Sequence, residues 1–312
     1  MTMAVCIVNY NTRDLLRDCL QSVSKETQDE IVVIDNASSD GSAGMVSTEF
    51  PSVRLLENRE NTGYGAAANR AINSCAADTV LLLNSDTRLQ AGAIQAISRY
   101  FDFHGNAAVV GPRIVNPDGT FQTSSFHNPT PLHIFLYLTN LYKHIQLFPI
   151  LRRRSLQAWS LNTAERVPWV IGAAFGIRRE AFEAVGGFDE SFFMYFEEVD
   201  LCNRLARAGW EVHFAPITEV IHLGGASTQQ NKVQMTLQYF TSLMHFYRRH
   251  YSRIRMAELT ILLESTALAR LIDGRIKLFI TRDDRLRAGL ARDMDLWKGL
   301  LLICRENQAL ME

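Results

Sequence analysis

"DTVLLLNSDT", Asp78 to Thr87, sets four consecutive large apolar residues ahead of Asn84, Ser85 and Asp86. A run that short, apolar throughout and closed by polar residues reads as a strand buried on both faces. Such strands belong to parallel sheets with helices packed on either side. The neighbouring sequence follows the same pattern. "AVCIVNY" (Ala4 to Tyr10), "EIVVIDNASSDGS" (Glu30 to Ser42) and "SVRLLEN" (Ser52 to Asn58) are further runs of strand type. Between them, Asp14 to Ser24 repeats Leu15, Leu16, Cys19, Leu20 and Val23 at helical spacing, and "GAAANRAINSCA" (Gly65 to Ala76) is a helix of small residues. Strand alternating with helix predicts an α/β fold with a Rossmann-like, mostly parallel central sheet flanked by helices. Ligands of such sheets bind beyond the carboxyl ends of the strands. Those ends are Asn9–Thr12, Asp35–Asp40, Asn58–Gly65 and Asn84–Asp86, all rich in Asp and Asn.

Beyond Val110 the pattern changes. "RIVNPDGTFQ" holds a turn, Asn116-Pro117-Asp118-Gly119, between two strand-like pieces. A Pro-flanked, aromatic and then basic stretch at about 129–160 reads as an insertion. Residues 167–225 bring back strand, helix, an acidic cluster, a second helix and a last strand, "EVHFAPITEVIH". From 229 to 312 the chain reads helical. The expected organisation is one catalytic domain over 1–228 and a helical extension over 229–312. Of 312 residues, 47% are hydrophobic and 21% charged, as in an ordinary globular protein. The net charge of −1 hides an asymmetry: residues 1–128 carry 9 basic and 14 acidic side chains, and residues 129–312 carry 23 and 19. Nothing in this balance calls for nucleic acid. The five scattered cysteines include no C-x-x-C pair, which argues for a reducing compartment and against a disulfide framework or a cysteine zinc site. The opening residues lack the marks of a signal peptide, and the apolar runs are too short or too interrupted to span a bilayer.

Five places carry candidate chemistry. "GYGAAA" (Gly63 to Ala68) matches the dinucleotide-binding pattern G-x-G-x-x-A. That pattern needs its first glycine at a strand tip, and five polar residues intervene here, so a Rossmann dehydrogenase is set aside. The glycines still permit a close backbone approach, at a helix N-terminus whose amides favour an anion. Asp35 ends an apolar strand at the ligand edge, where its carboxylate can accept from a ribose or a base N–H; Asp40 reads as an Asx turn opening a helix near Ser42. In an extended strand, Asn84 and Asp86 point to one side, so two oxygen ligands can meet one hard divalent cation. His222 ends a strand and enters Gly224-Gly225. Last, "FFMYFEEVDL" (Phe192 to Leu201) crowds Glu197, Glu198 and Asp200 among aromatic residues. One or two carboxylates suit a helix N-terminus. Three exceed that need, and crowding raises their pKa values toward those of a general base.

Together these residues resemble the inverting, metal-dependent glycosyltransferases of family 2, with the GT-A fold, and among them the rhamnosyltransferase-like members that extend bacterial polysaccharide on a lipid carrier. The likeness rests on "IVNYNT", "VVIDNASSDGS", "ENRENTGYGAAANRAI", "LLLNSDT", "GAAFGIRREAFEAVGGFDESFFMYFEEVDLCNRLARAGW" and "HLGGAST", in the family's order over residues 3–228. It implies a nucleotide-sugar donor held by Asn9, Asn11, Asp35, Asn61, Gly63, Tyr64, Asn69, Asn84, Ser85 and Asp86. It implies Mg2+ or Mn2+ on Asp86 and His222, with Asn84-Ser85-Asp86 standing where the family has a D-x-D-type motif. Glu198, with Glu197 before it, stands where the family places its catalytic Asp. Trp169, Gly172, Ala173 and Asp200 would line the acceptor side, with Trp169 either a sugar platform or a core residue; Arg178 and Arg179 could meet an acceptor diphosphate but are expected in solvent. Two departures stand out: Asn84 removes one carboxylate from the metal motif, and Glu198 is one methylene longer than the family's base. The expected reaction moves a sugar, rhamnose from dTDP-rhamnose or else a hexose from a UDP-hexose, to a hydroxyl of a lipid-linked or polysaccharide acceptor in bacterial cell-surface glycan synthesis. The alternatives are a sugar nucleotidyltransferase and a catalytically weak sugar-nucleotide-binding scaffold.

Residues 132–151 are apolar and aromatic, and Arg152 to Arg154 follow; "RIKLFITRDDRLRAGLARDMDLWKGLLL" repeats that mixture. Both suit a cytoplasmic protein lying peripherally on the anionic inner face of the cell membrane, and the first suits a homodimer contact as well.

Overall fold

The four apolar runs become β1 (Met3–Asn9), β2 (Ile31–Asp35), β3 (Arg54–Glu57) and β4 (Thr79–Asn84). The computed structural model describes residues 1–27, 29–139, 141, 162–224 and 232–309. β1 lies parallel between β2 and β4, with Asn9 opposite Asp35 and Val8 opposite Asn84; β3 adds parallel to β2 at the edge. Every residue of β1 and β2 is buried, as expected where both sheet faces are covered. Alternation along β1 divides the core in two. Met3, Val5 and Ile7 pack with Leu16, Cys19, Leu20 and Val23 of α1 (Arg13–Glu26), whereas Ala4, Cys6 and Val8 pack on the other face with Ala67, Ala68 and Ala71. α2 (Ser42–Glu49) follows β2, and those alanines belong to α3 (Tyr64–Ser74).

The remaining strands are β5 (Thr87–Leu89), β6 (Ala107–Val115), β7 (Phe121–Gln122), β8 (Ser125–Phe126), β9 (Glu165–Arg166), β10 (Trp169–Val170), β11 (Ala174–Arg178) and β12 (Glu211–His222). The main sheet runs β3-β2-β1-β4-β11-β6-β12-β5, with β7 beside β6 and β9 beside β12; β8 and β10 form a separate pair. β11 is antiparallel to both its neighbours, β12 is parallel to β6, and β5 is antiparallel to β12. The Asn116–Gly119 turn closes the β6–β7 hairpin, where Ile114 faces Gln122. α4 (Ala93–Phe103), α6 (Arg179–Ala184) and α7 (Glu197–Arg207) complete the layers over this sheet.

The described residues divide into two compact units, the first comprising 1–128, 162–193 and 197–224. The second comprises 129–139, 141, 194–196 and 232–309, so the head of the expected insertion groups with the C-terminal helices. It contains α5 (Pro131–Leu138), α8 (Lys232–His250), α9 (Arg253–Ile280) and α10 (Asp284–Ala309). Thr130 caps α5 through a reciprocal pair of bonds with His133, and Pro131 occupies the first turn. The hydroxyls of Tyr247 and Tyr251 both donate to the Pro129 carbonyl at 2.9 Å. Two glycines let these helices approach closely: a Cβ on Gly274 would lie 2.9 Å from Met294, and one on Gly299 would lie 2.8 Å from Leu237. Among the described residues no helix is long and apolar enough to cross a membrane. Most of the expected membrane segment, residues 142–151 with Arg152 to Arg154, lies outside the described residues, as does Gly225.

Candidate active site

The carboxyl ends of β1, β2 and β4 meet in a buried polar network. Asn9 donates to the Asp35 carboxylate at 2.8 Å and accepts from Thr12, whose hydroxyl also bonds that of Ser85 at 2.7 Å. Ser38 donates its N–H to the second Asp35 oxygen at 2.9 Å. Asn9 and Ser85 are therefore engaged within the protein and act as braces. Asp35 is buried with each oxygen holding one bond, and each retains a lone pair for a ligand. Asn11 and Ala37 take left-handed backbone, φ 52° and 64°, in the two loops facing each other here. Asn11 accepts from the Ser39 N–H at 2.8 Å, and Asp40 accepts from Ser42, forming the Asx turn that starts α2. Asn36 ties down the next loop: its side chain donates to Asn61 and to the Gly63 carbonyl and accepts from Asn58 and Thr62.

Gly63 has φ 84° and makes its close approach to this chain's own backbone. A Cβ there would stand 2.4 Å from the Phe193 carbonyl oxygen, which also accepts from the Tyr64 N–H at 2.9 Å. This first amide of α3 is thus already partnered. Asn69 clamps the Phe188–Glu190 turn, donating to the Phe188 carbonyl and to Glu190 and accepting from the Phe188 N–H. It is a brace for the loop ahead of α7 and does not open onto a ligand.

β4 ends at Asn84, and Ser85 and Asp86 form a turn into β5. The extended-strand argument for Asn84 and Asp86 therefore fails. A different pairing supplies the second ligand group: β5 runs beside β12, Thr87 faces His222, and His222 Nε2 comes to 3.3 Å from Asp86 Oδ1. Gln122 holds the ring from behind, with Nδ1 2.6 Å from its Oε1. The same amide donates from Nε2 to Asn116, so Oε1 is the acceptor and Nδ1 carries the proton. Nε2 then turns its lone pair toward the side of the Asp86 carboxylate. A carboxylate oxygen and an oriented imidazole suit Mg2+ or Mn2+ with further positions left for ligand oxygens, and the Gln122 bond is the usual outer support of a ligating histidine. Asp86 and His222 are a pair only: among the described residues no group of three or more His, Cys, Asp or Glu is gathered for a metal.

The acidic cluster opens α7. Glu197 is buried, Glu198 is half-buried, and each has a carboxyl oxygen, Oε2, without a hydrogen-bond partner. Burial raises both pKa values. Glu197 is pushed further, by its burial and then by the charge of Glu198, whereas backbone N–H groups of Glu198 itself and of Gly172 partly offset the rise at Glu198. Both carboxyls are thus held toward the neutral form, and Glu198 is the one with backbone N–H groups that favour its charge. Asp200 does not join the cluster: it is fully buried and paired with Arg204 at 2.7 Å, one helical turn on. That position removes it from the expected acceptor side.

Gly172 and Ala173 link these parts. The Gly172 N–H donates to Glu198, its carbonyl accepts from the Tyr64 hydroxyl at 3.2 Å, and the Ala173 carbonyl accepts from the Asn84 N–H at 3.0 Å. Tyr64 is itself flanked by negative charge. Burial, then Glu197, Glu198 and Asp86, push its hydroxyl well above the ordinary phenol range. Tyr64 is thus the side chain on which the negative charge of the α7 cluster and that of Asp86 both act. Trp169 lies stacked on Phe126 with centroids 4.8 Å apart and donates to the His127 carbonyl, so one ring face is already covered. Arg178 and Arg179 are not in solvent. Arg178 is buried over the Phe101 ring and donates to the carbonyls of Ala107, Phe101 and His104, while Arg179 caps the end of α3 at Ile72, Cys75 and Ala77. Gln122 and Thr12, which the sequence did not single out, are the added members of the site.

A mixed sheet of this order, with Asp35 at one strand end, an Asp–His pair beyond another and an acidic helix start, has the make-up of a nucleotide-sugar transferase of GT-A type. The profile of "Glycosyl transferase family 2" matches residues 4–186, and the chain belongs to that family. The N-acetylglucosaminyl-diphospho-decaprenol L-rhamnosyltransferase of Mycobacterium tuberculosis (strain CDC 1551 / Oshkosh) is 34% identical over 244 residues, 72% of this chain and 77% of that protein. Two solved structures share the fold. GalNAc-T7 with UDP, GalNAc and Mn2+ matches at TM-score 0.52 and 18% identity, over 71% of this chain and 43% of its own. The mannosyltransferase PcManGT from Pyrobaculum calidifontis, with GDP-Man and Mn2+, matches at TM-score 0.52 and 16% identity, over 100% of this chain and 88% of its own. The protein is a glycosyltransferase.

Proposed function

We propose that this enzyme transfers rhamnose from a nucleoside-diphosphate donor, dTDP-rhamnose, to a hydroxyl of a lipid-linked acetamido-sugar diphosphate, with inversion at the anomeric carbon. The observation that supports the reading most is Tyr64, whose hydroxyl lies under the influence of Glu197, Glu198 and Asp86 together. Sugar and acceptor hydroxyl would occupy the space these groups share. Asp86 and His222 would hold Mg2+ or Mn2+, which supplies positive charge for the departing diphosphate. Asp35 accepts from the nucleoside. Glu198 removes the acceptor hydroxyl proton. Its raised pKa makes it a stronger base than an exposed glutamate, and the Gly172 N–H fixes its aim. Burial of Glu197 beside it opposes a second negative charge, and the two N–H groups at Glu198 favour the charge there. The donor and acceptor classes follow from the M. tuberculosis relative, and a lipid-linked acceptor implies work at the inner face of the cell membrane.

The test is a panel of dTDP-, UDP- and GDP-sugars with a polyprenyl-diphospho-N-acetylglucosamine acceptor, scored by nucleoside-diphosphate release with Mn2+, Mg2+ or EDTA. Turnover of dTDP-rhamnose that needs a divalent ion and yields the inverted linkage by NMR is the expected result. Turnover untouched by EDTA, or retention of configuration, would overturn the reading.

A further inference from the structure

α9 is apolar on two opposite faces. One face, with Met256, Leu259, Leu263, Ala267 and Gly274, is buried within the second unit. On the other, Ile254, Ile261, Leu268, Ile272, Ile276 and Phe279 are exposed, Ile254 at 73% and Phe279 at 92%. Their spacing of seven, seven, four, four and three closes on whole turns, so the ridge runs straight along the axis for about 38 Å. Glu258, paired with Arg255, and Ser265 are the polar positions along it. An amphipathic surface helix keeps its second face polar; an apolar second face calls for something to cover it. The ridge ends at the turn into α10, where Ile280 and Leu286 are also exposed. Residues 275–287 around that turn carry Arg275, Lys277, Arg282, Arg285 and Arg287 against Asp283 and Asp284, a net +3 in a chain of net −1. Asp283 is further occupied in capping α10 through the N–H groups of Arg285 and Leu286.

We propose that this ridge and turn dock onto an anionic lipid bilayer, with Phe279, Ile280 and Leu286 entering the acyl boundary and the arginines meeting headgroups. The inference deepens the proposed function, since it supplies the surface that a lipid-linked acceptor requires. Charge selects the occupant. Against a second copy, the +3 turn would face either another +3 turn or, with the helices reversed, the basic start of α9 at Arg253 and Arg255; both arrangements repel. An anionic headgroup layer attracts both ends of the ridge, and amphipathic helices rich in basic residues bind in this way.

The test is co-sedimentation of the full chain with vesicles of phosphatidylcholine alone or mixed with phosphatidylglycerol, with neither donor nor acceptor present. Binding to the anionic vesicles that weakens with salt is expected. Arg275, Arg282 and Arg285 changed together to Gln should lower the partition constant about 100-fold. Phe279→Ser with Ile280→Ser should lower it tenfold or more, on the order of two large apolar side chains withdrawn from lipid, while Phe103→Ser, an exposed residue of the first unit, should not change it. Circular dichroism checks that each variant folds. Failure of the wild-type chain to bind anionic vesicles at low salt, binding unaffected by the arginine changes, or a dimer by ultracentrifugation that the Phe279 and Ile280 changes dissolve would each overturn the proposal. Because the vesicles hold no acceptor, a chain that binds them yet transfers no sugar contradicts the proposed function alone.

Discussion

Replacing Gly63 by alanine tests the local architecture of the donor side. Gly63 combines φ 84° with ψ 169°, a region open to glycine and strained by about 1–3 kcal/mol for any other residue. The new Cβ would sit 2.4 Å from the Phe193 carbonyl oxygen, 2.9 Å from its Cα and 3.0 Å from its carbonyl carbon. These are backbone atoms, so no side-chain rotation relieves the overlap, and residue 193 must retreat by most of an ångström. The retreat stretches the 2.9 Å bond from the Tyr64 N–H to that carbonyl, which costs about 1 kcal/mol more. The sum is about 3–5 kcal/mol once overlap and strain are partly shared. At roughly 2–4 °C for each kcal/mol, the first unit should melt about 10 °C lower. Tryptophan fluorescence follows it through Trp169 and Trp210. Gly44→Ala, in α2 with nothing within 4 Å of the added methyl, is the matched control and should gain about 0.5–1 kcal/mol. The reasoning fails if Gly63→Ala melts within about 2 °C of wild type, a difference worth less than the backbone strain alone.

Glu198→Gln should lower turnover by about 10²–10⁴ and leave donor affinity by calorimetry intact; a matching loss in donor affinity would remove it from the role of base. Burial and the neighbouring charge raise the pKa of Glu197 in the folded state, so the unfolded chain releases that proton at lower pH. Stability is then fullest below about pH 4.3 as far as this group is concerned, and falls as pH rises through the folded value. Glu197→Gln should flatten that slope and raise the denaturant midpoint at pH 8; a lower midpoint there contradicts the assignment. Gln122→Leu should weaken Mn2+ binding, read from the free-ion EPR signal, by about tenfold, and unchanged affinity would show that the bond to His222 does not orient it. Asp200→Asn leaves Arg204 without its partner in a largely buried pair and should cost about 3 kcal/mol, with turnover per folded molecule unchanged. A selective change in acceptor KM would return Asp200 to the acceptor side.

The front of the sheet was readable because β1, β2 and β4 are apolar runs stopped by Asn or Asp, with the shorter, charged-ended β3 at the edge. β12 was read at the same limits, Glu211 to His222, because His222 closes a run that Val220 and Ile221 carry to its end. The approach of His222 to Asp86 was implied by the family resemblance but not by the strand pattern, since it depends on β5, three residues long and polar at two of them, choosing β12 as its neighbour. Gln122 gave no signal for the same reason: a two-residue strand places it. Arg178 and Arg179 misled because charge usually marks solvent, whereas a guanidinium has enough donors to satisfy several carbonyls at once and its stem packs on apolar surface. Asn69 misled in the same way, its amide matching a tight turn as well as it would match a sugar.

The two departures from the family pattern bear on one electrostatic balance. Asn84 in place of a carboxylate removes one negative charge from the side of Asp86. At the start of α7, Glu197 and Glu198 crowd two carboxyl groups, and burial disfavours their charge. Tyr64 stands among these groups, and its hydroxyl, held in the neutral form, gives its hydrogen to the Gly172 carbonyl while the Gly172 N–H aims Glu198. A neutral donor fixed between acidic groups adds no charge of its own and holds the backbone that sets the base. The longer reach of Glu198 then has a physical counterweight: the extra methylene adds a rotatable bond, and the Gly172 N–H restrains it from the far end. At Gly172 itself an added Cβ would meet the Tyr64 hydroxyl only at ordinary van der Waals distance, 3.5 Å, so the position acts through its backbone N–H and carbonyl.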